Sequence, residues 1–519
     1  MTIKRRHLLQ ALAMAGLLPS VPQLAHARPA AAADFAAARA KNPLLTPLQG
    51  VTDVTGDLAT PSMVTRGHWP ASLRGRFYRN GPGLFERGVG DRRERYHHWF
   101  DGDGMVQQYT LEGGSQGRVS HRGRLVQTSK LRAEREAGRF LLPTFGTAID
   151  DGPPITGADS VNVANTNALE HGGRLLALWE GGSAYAMNAS DLSTTGPVTW
   201  RDDLAGLPFT AHPKIDANGH LWNIGTAGPH LMAWHIGPDG KLLDFQLGTS
   251  PYPGGLAHDL AITERHFVVP LPPVKLDFSK PVGDGARRFA LEPGEPLRIL
   301  VMEKADIAKR RVFELPAAMV FHVGNAHEEA DGTVVLSFVA SPDASFLDRG
   351  AVDLMSGREH SGGNPRLVVA RMDMKTGRIR TEPMASSIAD VEFPRIHPQR
   401  IGVSGADRAR WLVSGAAWLP HQTRRYGLLH GVQLTDLDTG RIRRYDYGDG
   451  VIAEEHVLIP KPGKRGELDA WLLGTTFDAR RQTTVLNVLD AARIENGPIA
   501  QAMLPYTLPL GFHGNFAAA

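Results

Sequence analysis

Twenty-one histidines and no cysteine bound the chemistry open to this chain. Thiolate metal sites, disulfide staples and cysteine nucleophiles are excluded, so a transition metal here has to be held by imidazole or carboxylate. No His-Glu-x-x-His motif or Gly-Lys-Ser/Thr phosphate loop occurs, which removes the commonest local signatures of zinc hydrolysis and nucleotide binding. Four histidines stand in strand-like or turn settings: Ala211-His212-Pro213, Ala257-His258-Asp259, Phe321-His322 and Phe512-His513-Gly514. Their successive separations are 46, 64 and 191 residues. Side chains so far apart can meet only in a fold whose chain returns repeatedly to one axis. The spacing is compatible with that, and by itself it singles out none of the four from the other histidines.

The elements that would position them are short strands. After position 60 the chain runs as β-prone segments punctuated by Gly, Asp and Asn. Turn pairs such as Asn218-Gly219, Asp239-Gly240 and Asp331-Gly332 sit between apolar or alternating flanks, and these are hairpin signals because Gly and Asn tolerate positive φ. Residues 373–380 and 436–443 are near repeats offset by 63 residues, longer than the common propeller blade of about 40–50 residues but consistent with one carrying insertions. Only residues 130–139 suggest a helix. Many strands without an obvious linker favour one closed all-β body, and a propeller closes without long exposed edges. The Pro-rich stretch 268–298 reads as an insertion on one face.

Composition agrees. In 519 residues, 42% hydrophobic is enough for a large core and excludes disorder. The 57 basic and 54 acidic residues leave a net charge of +3 with no long basic run, so nucleic acid is not an expected partner. Lys4, Arg5 and Arg6 precede an apolar run from Ala11 to Leu18, followed by Ala25-His26-Ala27, the order of a secretory signal. The run is shorter than the ~20 residues that span a bilayer, and the Arg5-Arg6 pair points to the twin-arginine route. The expected organisation is a signal over 1–27, a leader over 28–59 whose Ala-rich part is loose, and one domain over 60–519, located in the periplasm.

At this stage the motifs carry a resemblance. Tyr78-Arg79-Asn80-Gly81-Pro82-Gly83 is followed by His97-His98-Trp99-Phe100-Asp101-Gly102-Asp103-Gly104, Ala164-Asn165-Thr166-Asn167 and Leu178-Trp179-Glu180-Gly181-Gly182. Next come Ala211-His212-Pro213, His258-Asp259-Leu260, Phe321-His322, Glu392-Phe393-Pro394 and Phe512-His513-Gly514. In that order they resemble the carotenoid cleavage oxygenase family over roughly residues 60–515, and within it the bacterial apocarotenoid-cleaving branch.

The resemblance implies a seven-bladed β-propeller with a loop or helical cap. It implies a non-haem Fe(2+) held by His212, His258, His322 and His513. Glu180, Glu392 and Glu455 would accept hydrogen bonds from the outer N–H of ligand imidazoles; Glu454 is the alternative to Glu455. Thr166 matches a position near an open coordination site, and read without the family it is a packed strand residue. The implied reaction cleaves a conjugated C=C bond with O2 to give aldehydes. A lipophilic substrate would be drawn from a membrane, through an apolar patch on the cap that Phe267, Val268, Val269, Leu271, Val274, Leu276 and Phe278 could form; the other reading makes these residues an interior strand and loop. Two departures from the family, Val323-Gly324 after the third histidine and the uncharged Val335-Leu336-Ser337, bear on substrate choice. Two rival readings are a stilbene- or phenylpropenoid-cleaving oxygenase of the same fold, with Lys130 meeting the substrate phenol or lying in solvent, and a propeller used only for binding.

Overall fold

The computed structural model describes residues 27–519 apart from 44, 115–116, 150, 253–255, 277–288, 361, 385–388 and 419–421. The expected signal segment and Phe278 lie outside the described residues. Seven antiparallel sheets of four or five strands follow one another around a ring, with two short two-stranded ribbons beside them. Five blades are up-and-down meanders that begin at Asn167–His171, Lys214–Ile215, Ala261–Ile262, Met319–Glu328 and Asp390–Arg395, the third interrupted by one of the two-stranded ribbons. The chain termini close the ring. Gly514–Ala518 pairs with Arg74–Leu84 of the first blade, and Val64–Gly67 completes the last blade by pairing with Pro498–Met503. Neither sheet can be finished without residues from the opposite end of the chain.

The turn chemistry read from sequence forms these meanders. Gly377 and Gly440 both take positive φ, 76° and 71°, and each donates its N–H to the carbonyl of an aspartate, Asp373 at 2.9 Å and Asp436 at 2.8 Å. The same aspartates accept from Thr376 Oγ1 (2.6 Å) and Thr439 Oγ1 (2.8 Å). The near repeat is therefore the same outer hairpin in two consecutive blades, and its 63-residue offset is one blade. Between blades, apolar faces interlock: Val268 and Val301 of one blade pack with Leu336 and Phe338 of the next. Strands caught between two neighbours, such as Ala470–Asp478, are buried along their whole length, so they read as continuous apolar runs rather than alternating ones.

Three segments differ from expectation. The Ala-rich stretch expected to be loose is a helix, Ala27–Lys41. Alanine favours it, and Phe35 anchors it against Arg95, whose guanidinium carbon is 3.5 Å from the ring centroid, and against a cluster with Leu48, Trp99, Leu354 and Phe512. The apolar run read either as a cap patch or as an interior strand is interior: Phe267, Val268, Val269 and Leu271 lie in the fully buried strand His266–Leu271, and Val274 is buried beside Phe289 and Leu347. The expected helix runs Ser129–Ala137, opened by Thr128 accepting from the Leu131 N–H and closed by Gly138 at φ 65°, but its Lys130 is fully buried rather than solvated. Among the described residues no helix is long and apolar enough to cross a membrane.

Candidate metal centre

The blades' first strands form sheet edges that meet at the axis, and the four histidines sit on them. His212, His258 and His513 each stand one to three residues ahead of such a strand, and His322 lies within one, where the register slips between Val320 and Val323. Packing beside the slip is tight: a Cβ on Gly324 would lie 2.4 Å from Leu412 Cδ1 and 2.6 Å from Ser337 Oγ. Ser337, in the uncharged run Val335-Leu336-Ser337, accepts the Asn325 N–H at 3.0 Å. The small residue after Val323 is thus fitted to this packing.

The structure brings all four imidazoles together. Nε2 of His258 is 3.1 Å from that of His212 and 3.3 Å from that of His322, and His322 and His513 are 3.1 Å apart at the same atoms. Behind the ring of nitrogens stand carboxylates. Glu180 contacts His258 Nδ1, Glu392 contacts His322 Nδ1, and Glu455 Oε1 lies 2.9 Å from His513 Nδ1. Each carboxylate fixes the tautomer with the proton on Nδ1, which leaves a bare lone pair on Nε2. Burial and the neighbouring imidazoles hold His212 well below the ordinary histidine pKa, and burial takes His513 down to about 3 despite Glu455. His258 is raised instead, because Glu180 outweighs its burial. Lone pairs converging at 3.1–3.3 Å cannot hydrogen-bond one another and repel. A cation at their centre resolves this: nitrogens ~2.1 Å from one ion at right angles are ~3.0 Å apart. The group therefore fits a metal.

Glu455, not Glu454, faces the fourth histidine. The Glu454 carboxylate turns to Gly511 N (2.7 Å), Thr475 Oγ1 (2.6 Å) and Arg79 Nη2 (3.2 Å). Arg395 grips Glu455 through Nε (2.8 Å) and Nη2 (3.2 Å); burial opposes ionisation of Glu455, but Arg395 and His513 hold its carboxyl well below the usual range. Sequence reasoning missed Arg395, and also Asp259. Asp259 accepts from Lys214 Nζ (2.8 Å) and from the N–H groups of Leu260 (2.7 Å) and Val323 (2.8 Å), tying together the three strands that carry His212, His258 and His322. The only signal available was a charged residue one or two positions from His212 and His258 and three from Glu392.

The metal-side face opens into a cavity of about 970 Å³ whose wall includes Trp99, Phe145, Trp179, Phe321, Phe393 and Phe512, together with His258, His322 and His513. Phe393 is held at φ 56°, with its N–H on Glu392 Oε2 at 2.9 Å and its ring 5.3 Å from those of His322 and His513. Such a backbone state is costly for a bulky residue and is characteristic of functional sites. Thr166 is both packed and on the cavity wall: it is 8% exposed, and its carbonyl accepts from His513 N at 3.2 Å. Lys130 is absent from the cavity wall.

The chain resembles known proteins over most of its length. The family described as retinal pigment epithelial membrane protein matches residues 52–518. The chain is 31% identical to apocarotenoid-15,15'-oxygenase of Synechocystis, over 87% of this chain and 92% of that protein. It is 26% identical to isoeugenol monooxygenase of Pseudomonas nitroreducens, over 86% and 92%. The solved structure of cobalt-substituted Synechocystis apocarotenoid oxygenase superposes with a TM-score of 0.79 at 27% identity, covering 92% of this chain and 99% of that one. A seven-bladed propeller, an axial histidine quartet and these likenesses place the chain in the carotenoid cleavage oxygenase family, which includes the retinal pigment epithelial membrane protein.

Proposed function

We propose that this protein is an iron(II)-dependent oxygenase that cleaves a conjugated C=C bond of an apocarotenoid. The observation that carries the reading is the convergence of four imidazole lone pairs, three of them from histidines on the wall of a cavity of about 970 Å³ that also presents Trp99, Phe145, Trp179, Phe321, Phe393 and Phe512. One O2 added across one double bond gives two aldehydes, so the reaction balances without a reductant or a proton donor. Iron(II), for which neutral imidazole is a suitable ligand, supplies the activation of O2. The chain's own groups do the rest. His212, His258, His322 and His513 hold the ion, and Glu180, Glu392 and Glu455 keep the Nδ1 protons in place. Phe321, Phe393 and Trp179 offer flat apolar surface to a polyene and keep water from it. Thr166 narrows the space beside the ion.

A second reading, cleavage of a phenylpropenoid or stilbene side chain, is favoured by the isoeugenol monooxygenase relative. Against it, Lys130, the residue that would meet a phenol, is committed to Glu134 at 2.8 Å. An aerobic assay of Fe(II)-loaded protein against an apocarotenal and a hydroxystilbene in parallel, with aldehydes identified by mass, decides between them. Retinal-type products support the first reading, benzaldehydes support the second, and no product from iron-loaded protein overturns both. The Lys4-Arg5-Arg6 start and apolar run support export to the periplasm by the twin-arginine route; Arg5→Lys with Arg6→Lys should retain the protein in the cytoplasm on fractionation. A lipophilic substrate also implies contact with a membrane surface, made by residues other than the buried 267–274.

A further inference from the structure

Each of the three carboxylates at the axis stands behind one histidine: Glu180 behind His258, Glu392 behind His322 and Glu455 behind His513. Among the described residues no carboxylate stands behind His212. Two charged braces hold neighbouring ligand strands together. Asp259 joins the strands of His212, His258 and His322, and Arg395 joins the strand of Glu392 to Glu455 and to the Gly514 carbonyl at 3.1 Å. One edge of the quartet is left over, between His513 and His212, whose ring centroids are 4.5 Å apart. At this edge the C-terminal segment meets the first ligand in the chain.

An uncharged chain of asparagines spans that edge. Asn167 is 3% exposed, and its Nδ2 donates at 2.7 Å to the Ala211 carbonyl, in the peptide that leads into His212. Its Oδ1 accepts from Asn515 Nδ2 at 2.9 Å, two residues beyond His513. The same oxygen accepts the Ala168 N–H at 2.8 Å, which fixes the orientation of the amide. Asn80 completes the link. Its Nδ2 donates to the carbonyls of Asn167 (3.0 Å) and Ala164 (2.8 Å), and its N–H donates to the His513 carbonyl at 2.9 Å. The His513 N–H donates in turn to the Thr166 carbonyl at 3.2 Å. His513 is thus held through both of its backbone groups, and Asn167 ties that hold to the peptide before His212.

Charge explains why amides serve here. Around the axis, Glu180, Glu392, Glu455 and Asp259 oppose Lys214 and Arg395, an excess of negative charge that one divalent ion balances. A fifth carboxylate would leave a buried charge uncompensated. An amide, with a donor end and an acceptor end, fastens two segments without adding charge. We propose that Asn167 is a positioning residue for the metal centre, setting the spacing of His513 from His212, the ligand with no carboxylate behind it. The inference rests on reading the quartet as a metal site and assigns what holds its remaining edge.

The test is metal binding by the chain itself, read apart from turnover. Metal-free protein is titrated with Co(II), following the visible d–d absorption, and its unfolding by denaturant is measured alongside. Asn167→Ala should bind Co(II) about tenfold or more weakly than wild type, as for loss of a group that orients a ligand, and its absorption bands should shift. Asn515→Ala, which removes only the C-terminal half of the link, should lose less in the same direction, and it decides the question if Asn167→Ala fails to fold. The control is Asn487, buried on the third strand out from the axis in the last blade, where it donates to Thr476 Oγ1 (3.0 Å) and accepts from Gln501 Nε2 (2.8 Å). Asn487→Ala should lower the stability of the metal-free protein at least as much as Asn167→Ala while keeping the wild-type Co(II) affinity and bands. Wild-type affinity and bands in the folded Asn167 and Asn515 variants, or an equal weakening in Asn487→Ala, overturns the proposal. Wild-type protein that takes up no Co(II) overturns the metal reading itself.

Discussion

Two buried polar clusters in this molecule look alike in composition and differ in what they demand. At the axis, four imidazoles point their lone pairs at one another with three carboxylates behind them. Beneath the helix Ser129–Ala137, Arg87, Asp103, Lys130, Glu134 and Tyr96 form a network no more than 4% exposed at any charged side chain. Lys130 reaches Glu134 at 2.8 Å and Asp103 at 3.6 Å, Arg87 meets Glu134 at 3.1 Å, and Glu134 also accepts from Leu141 N and Leu142 N at 3.2 Å. Two cations face two anions, so this network is balanced in charge. Burial works against the charge on Asp103, yet Arg87 and Lys130 hold its carboxyl below the usual range. The axial cluster has acceptors on its inner side and no proton to share among them. Charge balance, rather than burial or residue type, separates a structural network from a site fitted to a cation.

Removing members from each cluster sharpens the contrast. His258→Ala or His513→Ala should abolish both iron binding and turnover while leaving the thermal transition in place; metal analysis and assay of the folded variant check this. Lys130→Met should do the reverse, lowering stability by about 3–5 kcal/mol by leaving buried carboxylates uncompensated, with iron content unchanged, as read by denaturant unfolding beside metal analysis. Glu392→Gln and Glu455→Gln should weaken iron retention by about 10–100-fold, and iron retained as in wild type would show that the outer carboxylates do not tune the ligands. A further effect, absent at neutral pH, lies away from both clusters. Burial lowers His121 to about 3, so below about pH 6.5 the unfolded chain takes up a proton that the native state refuses. Stability should therefore fall as pH drops from about 6.5 towards 3, and His121→Gln should reduce that slope by about 1.4 kcal/mol per pH unit.

Much of the architecture was legible in turn residues. Gly377 and Gly440 with their aspartates marked a repeated outer hairpin, and the wholly apolar strands marked blades buried on both faces. The site was legible only in part. Spacing could not separate His212, His258, His322 and His513 from the other histidines, because blade insertions make their intervals unequal; ordered family motifs selected them. Asp259, Lys214 and Arg395 escaped notice because a charged residue beside a ligand looks the same in sequence whether it faces solvent or braces a neighbouring strand. The same ambiguity hid Lys130, whose partners Asp103 and Arg87 come from distant strands. Residues 267–274 read equally as a surface patch or an interior strand, and only the blade packed over them distinguishes the two. The helix Ala27–Lys41 was missed because its anchor, Phe35 against Arg95, is a long-range contact.

The central claim is that four imidazoles and no carboxylate surround one iron. X-ray absorption at the iron edge of the Fe(II)-loaded protein tests it directly. The account predicts one iron per chain with an outer-shell signature of four imidazoles. Iron bound by two or three imidazoles with a protein carboxylate, or iron dispersed without a defined imidazole shell, would contradict it.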